Sequence, residues 1–472
     1  MIESQHFNVV VIGSGPAGQK AAIRAAKGGC SVAIIERESQ IGGACVYTGT
    51  IPSKTLRENA IQLSRVKTHM DAFDITLREQ VQISTLMGNL EEVLDAHDVY
   101  IEQQLRRNDI SRIHGRAKFL DYKNIEVTHL KGKKSSLSAD YIIIATGSRP
   151  RTPTDINVDH EHILDSDSIL SMIYLPSSLV VLGGGVIASE YATTFTQLGV
   201  KVTMIDRNPA PLGFLDPDLL STFCTAFENA GGKFIGNSQL KSVQWDGVTQ
   251  VVTQLTDGQE IKSDKVLFAL GRVANVEFLK LENAGIALTE RSLVPVNEHC
   301  QTCVPHIYAV GDVIGPPSLA SASMEQGRRA SCHILKIEPG NSVNEIPVGI
   351  YTIPEMSTIG LTESQAIKEF GGATVGKADF SEVTRGHINR TQNGLLKMVA
   401  TPDGHELLGV QIVGEGATEL IHIGQMALMS GADIDSFISN IFNFPTMAEA
   451  YRVAALQISF QRKAIDSENQ TA

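Results

Sequence analysis

Apolar residues near the start of the chain predict a buried parallel strand followed by a helix. Residues 7–12 read Phe-Asn-Val-Val-Val-Ile, and a glycine-rich turn occupies residues 13–18. Alanines at helical spacing predict a helix over 17–28, and residues 31–35 predict a second strand that ends at Glu36. This order of elements indicates a dinucleotide-binding unit, which consists of a strand, a Gly-x-Gly-x-x-Gly turn, a helix, a second strand and a terminal acid.

The same pattern occurs a second time. Residues 178–182 predict a strand, 183–188 a glycine-rich turn, 190–198 a helix, and 201–205 a second strand that ends at Asp206. The first glycine and the terminal acid are 23 positions apart in both copies, and the second copy lies 170 positions after the first. Equal spacing in two copies indicates an internal duplication of the dinucleotide-binding unit.

The stretches around these copies supply further strands and a helix. Residues 142–147 and 266–271 each form an apolar run that closes on a glycine, and residues 307–312 form another that ends in Gly-Asp. Between the copies, residues 80–108 carry leucines and valines at helical spacing among many charges, which predicts one long amphipathic helix.

The last part of the chain has a different pattern. Residues 350–355 and 394–413 alternate like antiparallel strands, and helices are predicted over 417–430 and 446–460. The polar tail at 463–472 is expected to be loose. This part predicts a separate α+β domain.

These patterns together predict an α/β protein with two Rossmann-like nucleotide-binding domains and a C-terminal α+β domain. The first nucleotide-binding domain is expected to consist of residues 1–150 and 272–343, and the second of residues 151–271. The C-terminal domain is expected to span residues 344–472. A length of 472 residues agrees with about three domains.

Composition and charge exclude several classes of partner. The net charge is −12, from 40 basic and 52 acidic residues. An acidic chain argues against nucleic acid as the main partner and against a polybasic membrane anchor.

The N-terminal residues show no secretory signal, so we expect a cytoplasmic protein with reduced cysteines. The Cys300-x-x-Cys303 spacing has no second pair and the histidines form no ligand pattern, so no metal site is predicted.

The two turns also predict what each residue contributes. The first glycine permits the turn, the second allows the backbone to approach a pyrophosphate, and the third lets helix and strand pack closely. Glu36 and Asp206 are placed to accept hydrogen bonds from ribose hydroxyls. Asp206 favours NAD, whereas the neighbouring Arg207 is either a 2′-phosphate contact or a solvated surface charge.

The segment Ile41-Gly42-Gly43-Ala44-Cys45-Val46-Tyr47-Thr48-Gly49-Thr50-Ile51-Pro52-Ser53-Lys54 resembles the active-site segment of the flavoprotein pyridine nucleotide-disulfide oxidoreductases. Later motifs of that family have similar counterparts in the same order, at residues 145–147, 271–272, 308–312 and 352–363. The resemblance implies FAD in the first unit, NAD(H) or NADP(H) in the second and a homodimer formed through the C-terminal domain.

The resemblance also implies the site residues. The catalytic candidates are Cys45, Lys54, Glu190 and Glu449. Lys54 is expected to pair with Glu190 near flavin N5, Asp312 to hold the ribityl chain, and the helix that begins near Ala320 to point at the flavin. The cofactor-binding candidates of the first unit are Gly13, Gly15, Gly18, Glu36, Arg37, Gly43, Cys45, Lys54, Ala117, Thr146, Gly147, Asp312 and Ala320. Those of the second unit are Gly183, Gly185, Ala188, Glu190, Asp206, Arg207 and Gly271.

Two departures from the family pattern bear on the reaction. Thr50 stands where the family has its second cysteine, and Phe444 stands where it has a histidine before Pro-Thr. A dithiol cycle needs two sulfurs and a base, so disulfide reduction is not expected. Residues 165–170, 318–322 and 444–455 resemble the transhydrogenases of that family. The resemblance implies ping-pong hydride transfer between NADPH and NAD through flavin N5.

Some alternatives stay open at the level of sequence. One is an NAD(P)H reductase that uses a quinone or another small acceptor, and another is a non-enzymatic flavin redox sensor. Cys45 is either a small apolar residue against the flavin or a thiolate tuned by Lys54 and the flavin. Without the family histidine, Glu449 is expected to have a mainly structural role.

Overall fold

The computed structural model of the protein describes residues 4–73, 83–340, 346–391 and 393–471, and the side chains of 5–67, 85–340, 346–391 and 393–462. In the described part of the chain the strands are β1 (Ser4–Ile12), β2 (Val32–Glu36), β3 (Ser111–His114), β4 (Arg116–Phe119), β5 (Asn124–Thr128), β6 (Lys134–Ile144), β7 (Ser148–Pro150), β8 (Ile163–Asp165), β9 (Ser178–Leu182), β10 (Lys201–Ile205), β11 (Lys233–Ile235), β12 (Leu240–Trp245), β13 (Val251–Leu255), β14 (Glu260–Ser263), β15 (Lys265–Phe268), β16 (Arg272–Ala274), β17 (Ile307–Ala309), β18 (Val348–Ile350), β19 (Met356–Gly360), β20 (Thr374–Asp379), β21 (Leu395–Ala400) and β22 (Leu407–Val413).

The α-helices of the same residues are α1 (Pro16–Lys27), α2 (Gly43–Tyr47), α3 (Thr50–Phe73), α4 (Ile83–Leu86), α5 (Leu90–Arg107), α6 (Val186–Gln197), α7 (Pro217–Asn229), α8 (Ala320–Ile334), α9 (Glu363–Phe370), α10 (Thr384–Asn389), α11 (Ala417–Ser430), α12 (Ile434–Ser439) and α13 (Glu449–Thr471). None of the described helices is both long enough and apolar enough to cross a bilayer.

The first glycine-rich copy lies in a seven-stranded sheet with the order β3-β2-β1-β6-β5-β4, and β17 also pairs with β6. Both faces of this sheet are covered, because the side chains of β1 alternate between two buried clusters. Val10 and Ile12 belong to one cluster, and Val9 and Val11 to the other. Helices α1 and α8 cross closely, since a Cβ on Gly327 would lie 2.2 Å from the carbonyl oxygen of Ala17.

The second copy lies in a five-stranded parallel sheet with the order β11-β10-β9-β15-β8. A three-stranded antiparallel sheet, β12-β13-β14, extends this part of the chain, and β7 pairs with β16 where the chain leaves the first sheet and returns to it. The C-terminal part is a five-stranded antiparallel sheet, β18-β19-β22-β21-β20, whose strands share a buried cluster with α11 and α13. The predicted fold class is therefore confirmed.

Three local predictions were wrong. The stretch 80–108 contains two helices, α4 and α5, with a turn over 87–89, and its first residues lie outside the described part. Residues 351–355 form a loop between β18 and β19, because their backbone groups bond to side chains of α3 and α6. Helix α13 continues to Thr471, so the tail after residue 463 is helical there and not loose.

Candidate functional site

A cavity of about 990 Å³ opens beside the first glycine-rich turn. It runs along α2 and the start of α3 and reaches the first turns of α6 and α8. Every cofactor-binding candidate of the first unit except Gly18 lines this cavity. They are Gly13, Gly15, Glu36, Arg37, Gly43, Cys45, Lys54, Ala117, Thr146, Gly147, Asp312 and Ala320.

The glycines of the first turn leave room for a ligand. Gly13 has a φ of +106°, and a Cβ there would lie 2.3 Å from the carbonyl oxygen of Ala145. A Cβ on Gly15 would meet nothing within 4 Å, so the missing side chain exposes backbone to the cavity. Gly18 faces inward, where a Cβ would lie 2.0 Å from the Gly13 carbonyl oxygen. Gly18 therefore serves packing and does not line the cavity.

Glu36 fixes the shape of this turn from the end of β2. Its Oε2 accepts hydrogen bonds from the Ser14 backbone N–H at 2.9 Å and the Ser14 hydroxyl at 2.7 Å. Its Oε1 accepts the backbone N–H of Glu38 at 3.0 Å. The carboxylate is 7% exposed and still reaches the cavity wall, where a ribose hydroxyl is able to approach it.

Polar groups farther along the cavity fit the flavin end of FAD. The hydroxyl oxygen of Thr146 is buried and has no hydrogen-bond partner among the described residues. A buried polar atom without a partner is costly, so this hydroxyl suits a bound group. Asp312 accepts a hydrogen bond from Ser148 Oγ at 2.6 Å, and helix α8 begins at Ala320 on the same wall. The shape and the donors fit the cofactor that the sequence implied.

The second turn repeats the first at the level of individual hydrogen bonds. Asp206 Oδ2 accepts the backbone N–H of Gly184 at 2.6 Å, and its Oδ1 accepts that of Asn208 at 2.7 Å. These donors lie 170 positions after Ser14 and Glu38, which donate to Glu36. The duplication inferred from the sequence thus extends to the pairing of the terminal acid with its own turn.

Several candidates of the second unit lie outside the cavity. They are Gly183, Gly185, Ala188, Asp206, Arg207 and Gly271. Gly185 is exposed, and a Cβ on it would meet nothing within 4 Å, so the turn is open to solvent. Arg207 is also exposed. The first turn of α6 and Glu190 do reach the cavity, which connects the open turn to the flavin region.

The expected contact between Lys54 and Glu190 is present. Lys54 Nζ lies 2.6 Å from Glu190 Oε2, and both residues line the cavity. Helix α3 carries the lysine and α6 carries the glutamate, so the pair joins the first sheet's helices to the second sheet's. Tyr351, which no sequence motif indicated as a site residue, donates its backbone N–H to Glu190 Oε1 at 2.8 Å. It precedes the 352–363 motif by one residue, and only its contacts reveal it.

Cys45 is a half-buried thiol on the cavity wall. Burial raises its pKa above the ordinary value, and the hydrogen bond to Thr50 and the charge of Lys54 oppose that rise only in part. The neutral thiol is therefore favoured near neutral pH, which supports the first of the two interpretations of Cys45, a small residue packed against the cofactor.

Glu449 is not brought together with the other catalytic candidates. It is the first residue of α13, its Oε2 accepts the Thr446 backbone N–H at 3.3 Å, and it does not line the cavity. Its contact is that of a helix-start residue, which agrees with a structural role. Phe444 is 72% exposed at the surface of the C-terminal part.

One group of carboxylates has the spacing of a metal site. Ligand atoms of Asp216, Asp218 and Glu363 lie within 4.8 Å of one another. The ammonium of Lys397 lies among them, at 2.9 Å from Asp216, 2.6 Å from Asp218 and 2.7 Å from Glu363. The cluster is an ion-pair network that joins α7 to β21 and α9, in which Lys397 and Asp216 are buried and Asp218 and Glu363 are half-buried. The two cysteines of the Cys300-x-x-Cys303 spacing differ in burial, since Cys300 is buried and Cys303 is exposed.

Comparison with known proteins gives the family. The family model described as pyridine nucleotide-disulphide oxidoreductase matches residues 7–327, and the model of its dimerisation domain matches residues 346–455. Among curated proteins, the soluble pyridine nucleotide transhydrogenase of Mycobacterium bovis (strain BCG / Pasteur 1173P2) is 40% identical over 465 residues, covering 98% of this chain and 99% of its own. A protein of the same name from Marinobacter nauticus is 41% identical over 456 residues, covering 96% and 98%.

Solved structures of the same overall fold include relatives with other names. LpdA of Mycobacterium tuberculosis superposes with a TM-score of 0.88 at 26% identity, covering 96% of this chain and 99% of that one. The HOCl-induced flavoprotein disulfide reductase RclA of Escherichia coli gives a TM-score of 0.86 at 26% identity, covering 95% and 99%. Because the family models match most of the chain and its relatives match nearly all of it, the chain belongs to the pyridine nucleotide-disulphide oxidoreductase family.

Proposed function

We propose that this protein is a transhydrogenase that transfers hydride between NADPH and NAD or, in the reverse direction, between NADH and NADP. The observation that carries the proposal is the composition of the cavity. Cys45 is the single cysteine on its wall, and the position of a second sulfur holds Thr50. Both dinucleotide turns are nevertheless intact. The names of the relatives at about 40% identity support the same reaction.

FAD is held by the first unit. Gly13 and Gly15 would hold its pyrophosphate and Glu36 its adenosine ribose, because these residues line one end of the cavity. Thr146, Asp312 and the N-terminus of α8 face its other end. When bound, FAD supplies a group that accepts a hydride from one reduced nicotinamide and returns it to an oxidised one.

The protein contributes orientation and charge. The Lys54 ammonium lies on the cavity wall and is fixed by Glu190, so it would place a positive charge beside the flavin, on which negative charge accumulates when it is reduced. Buried Tyr191 and the first turn of α6 line the route from the second turn, and they would position a nicotinamide beside the flavin.

The second turn serves both nucleotides in succession. Asp206 accepts hydrogen bonds from a ribose with a free 2′-hydroxyl and repels a 2′-phosphate. Arg207 is exposed beside it and is free to turn toward that phosphate. We therefore infer that NADH binds more tightly than NADPH and that both reduce the flavin.

We also infer that the molecule works as a homodimer in the cytoplasm and that its domains consist of residues 1–150 with 272–343, 151–271 and 344–472. The match to a dimerisation domain and the exposed side chains of Ile441, Phe444 and Phe460 support the dimer. All six cysteines lie in described residues and none forms a disulfide, as in a reducing compartment.

A single assay tests the reaction. Purified holoenzyme is mixed with NADPH and a thio-analogue of NAD, with no other acceptor, and the reduced analogue is followed by its absorbance. We expect turnover with ping-pong kinetics. A lack of analogue reduction together with intact quinone reduction would show a reductase instead, and a lack of turnover with either would show a non-enzymatic flavoprotein. Turnover of glutathione disulfide or dihydrolipoamide would contradict the argument from Thr50 and Phe444.

A further inference from the structure

The loop at residues 351–355 holds the Lys54–Glu190 pair from the side of the C-terminal sheet. The backbone N–H of Tyr351 donates to Glu190 Oε1 at 2.8 Å, while Lys54 binds the other oxygen, Oε2, at 2.6 Å. The Lys54 ammonium also lies 4.9 Å from the centroid of the Tyr351 ring. One residue of the C-terminal part thus contacts both members of the pair.

The loop itself is held by side chains from the first two sheets' helices. Arg57 of α3 is 4% exposed, and its guanidinium donates to the Thr352 carbonyl oxygen at 3.2 and 3.1 Å. Arg57 also donates to Glu355 Oε1 at 3.0 Å. Thr193 of α6 accepts the Ile353 backbone N–H at 3.1 Å. Because these contacts fix the backbone, the Tyr351 ring has a defined place beside the ammonium.

The ring restricts where the lysine is able to go. A lysine side chain has many rotamers, and an ammonium on the cavity wall gains hydration by turning into solvent. On one side of the Lys54 ammonium, Glu190 Oε2 lies 2.6 Å from Nζ. On the other side, the negative face of the Tyr351 ring attracts the ammonium. Tyr351 is half-buried and lines the same cavity.

We propose that Tyr351 is a positioning residue that confines the Lys54 ammonium beside the flavin position, through its ring, and orients Glu190, through its backbone N–H. The proposal rests on the proposed function only for the presence of FAD. It assigns to the C-terminal part of the chain a direct influence on the charge that the flavin experiences.

The test compares two substitutions at Tyr351 in the FAD-loaded full chain. Y351F keeps the ring, and Y351L removes it, while both keep the backbone N–H. The midpoint potential of the bound flavin is measured by dye-coupled titration, and its reduction by NADH by rapid mixing. We expect Y351L to lower the potential and to slow reduction about threefold to tenfold, as for a partly buried cation–π contact. Y351F is expected to shift both quantities less than Y351L.

The same pair of substitutions in a K54M background separates positioning from packing. With no ammonium to confine, Y351L is expected to cause no further change in the potential relative to K54M alone. An equal shift of the potential in both backgrounds, or no shift in the Lys54 background, overturns the proposal. If Y351L loses FAD or fails to fold, Y351M replaces it, because methionine fills the space without an aromatic face. The thio-NAD assay is independent of these measurements, so failure of the transhydrogenase function is recognised separately.

Discussion

At the scale of the residue, both terminal acids use their carboxylates to hold their own turn. Each oxygen of Asp206 accepts a short hydrogen bond from the backbone, and Glu36 does the same in the first copy. A ribose hydroxyl therefore donates to a carboxylate oxygen that already accepts a backbone hydrogen bond, and a 2′-phosphate meets a fixed negative charge. The preference between nucleotides depends on a carboxylate that the fold also needs.

We predict that D206N narrows the difference between NADH and NADPH. A like-charge contact at about 4 Å near a protein surface is worth about 1–4 kcal/mol, so its removal should improve NADPH affinity by about tenfold. R207A should weaken NADPH selectively, because its exposed charge has no role in the turn. Rapid-mixing reduction of the flavin over a range of each nucleotide gives both affinities. If each substitution changed the affinities for NADH and NADPH equally, the roles assigned to Asp206 and Arg207 would be wrong.

The thiol of Cys45 gives a pH prediction. Its pKa is raised by burial, so at pH 7.5 its thiolate fraction is smaller than that of an unhindered cysteine. Alkylation by iodoacetamide should therefore be slower than for a model cysteine peptide and should accelerate only at a higher pH than it does in that peptide. Mass spectrometry of the labelled tryptic peptide measures the rate, and C45A identifies the signal. Alkylation at pH 7.5 that is faster than in the peptide would show a stabilised thiolate.

At the scale of the element, the two turns share hydrogen bonds but differ in how tightly the helix meets the strand. The third position is Gly18 in the first copy, where a Cβ would lie 2.0 Å from a carbonyl oxygen, and Ala188 in the second, where the methyl group is fully buried. Helix α1 thus begins closer to its own turn than α6 does.

We predict that two alanine substitutions in the first turn affect different properties, FAD affinity in one case and stability in the other. G15A adds a methyl group in open space at a φ of −65°, so the free energy of unfolding of the apoprotein should change by less than about 0.5 kcal/mol while FAD affinity falls. G18A forces helix and strand apart and should lower the free energy of unfolding by about 1–3 kcal/mol. Denaturant titration of apoprotein and fluorescence titration with FAD separate the two effects. A large stability loss in G15A would mean that its cavity is not open.

The sequence predicted elements well where their signals are local. Strands 178–182 and 201–205 and helix 417–430 have the bounds expected. Helix 80–108 was wrong because the turn over 87–89, which contains Gly88, interrupts a continuing apolar period. Residues 351–355 alternate like a strand, yet their partners come from residues that are far away in sequence. The Lys54–Glu190 contact was inferred from family resemblance, and Tyr351 had no local signal.

At the scale of the whole molecule, the second sheet is fixed to the C-terminal sheet by charge and by apolar packing. Lys397 is 1% exposed and binds Asp216, Asp218 and Glu363. Beside it lies an apolar cluster with members from the chain after the second turn and from the C-terminal strands, which includes Leu212, Leu215, Leu219, Phe223, Ile350, Met356, Leu395 and Val413. The second turn is therefore anchored, since the Leu212 N–H donates to the Gly184 carbonyl oxygen at 2.7 Å.

We predict that K397A lowers the free energy of unfolding by about 3–5 kcal/mol, because it leaves the fully buried Asp216 carboxylate without a counter-charge. The three carboxylates should then bind Ca²⁺, which prefers such oxygen ligands, and millimolar Ca²⁺ should raise the melting temperature of K397A more than that of the wild type. Thermal unfolding with and without Ca²⁺ measures this. Equal Ca²⁺ responses of variant and wild type would show that the carboxylates separate when the lysine is removed.

A prediction on assembly follows from the exposed apolar side chains of the C-terminal part. Phe460 is 77% exposed on α13, and Ile441 is 91% exposed. F460D should shift the protein from dimer to monomer in analytical ultracentrifugation, because a buried charge without a partner opposes association. Y122D, at a 53% exposed aromatic residue of the first domain, is the matched control and should remain dimeric. A dimeric F460D would place the interface elsewhere.

The contact between Lys54 and Glu190 has a consequence for the order of events in a catalytic cycle. Its two members belong to helices of different sheets and lie 2.6 Å apart. A hinge rotation that swung the second sheet away to let a nucleotide leave would break this contact within about one ångström of travel. Such a rotation would release the Lys54 ammonium from its fixed place beside the flavin position whenever the cleft stood open. An open cleft would then hold a flavin of lower midpoint potential, so the flavin would be reduced most readily while the cleft is closed on a nucleotide.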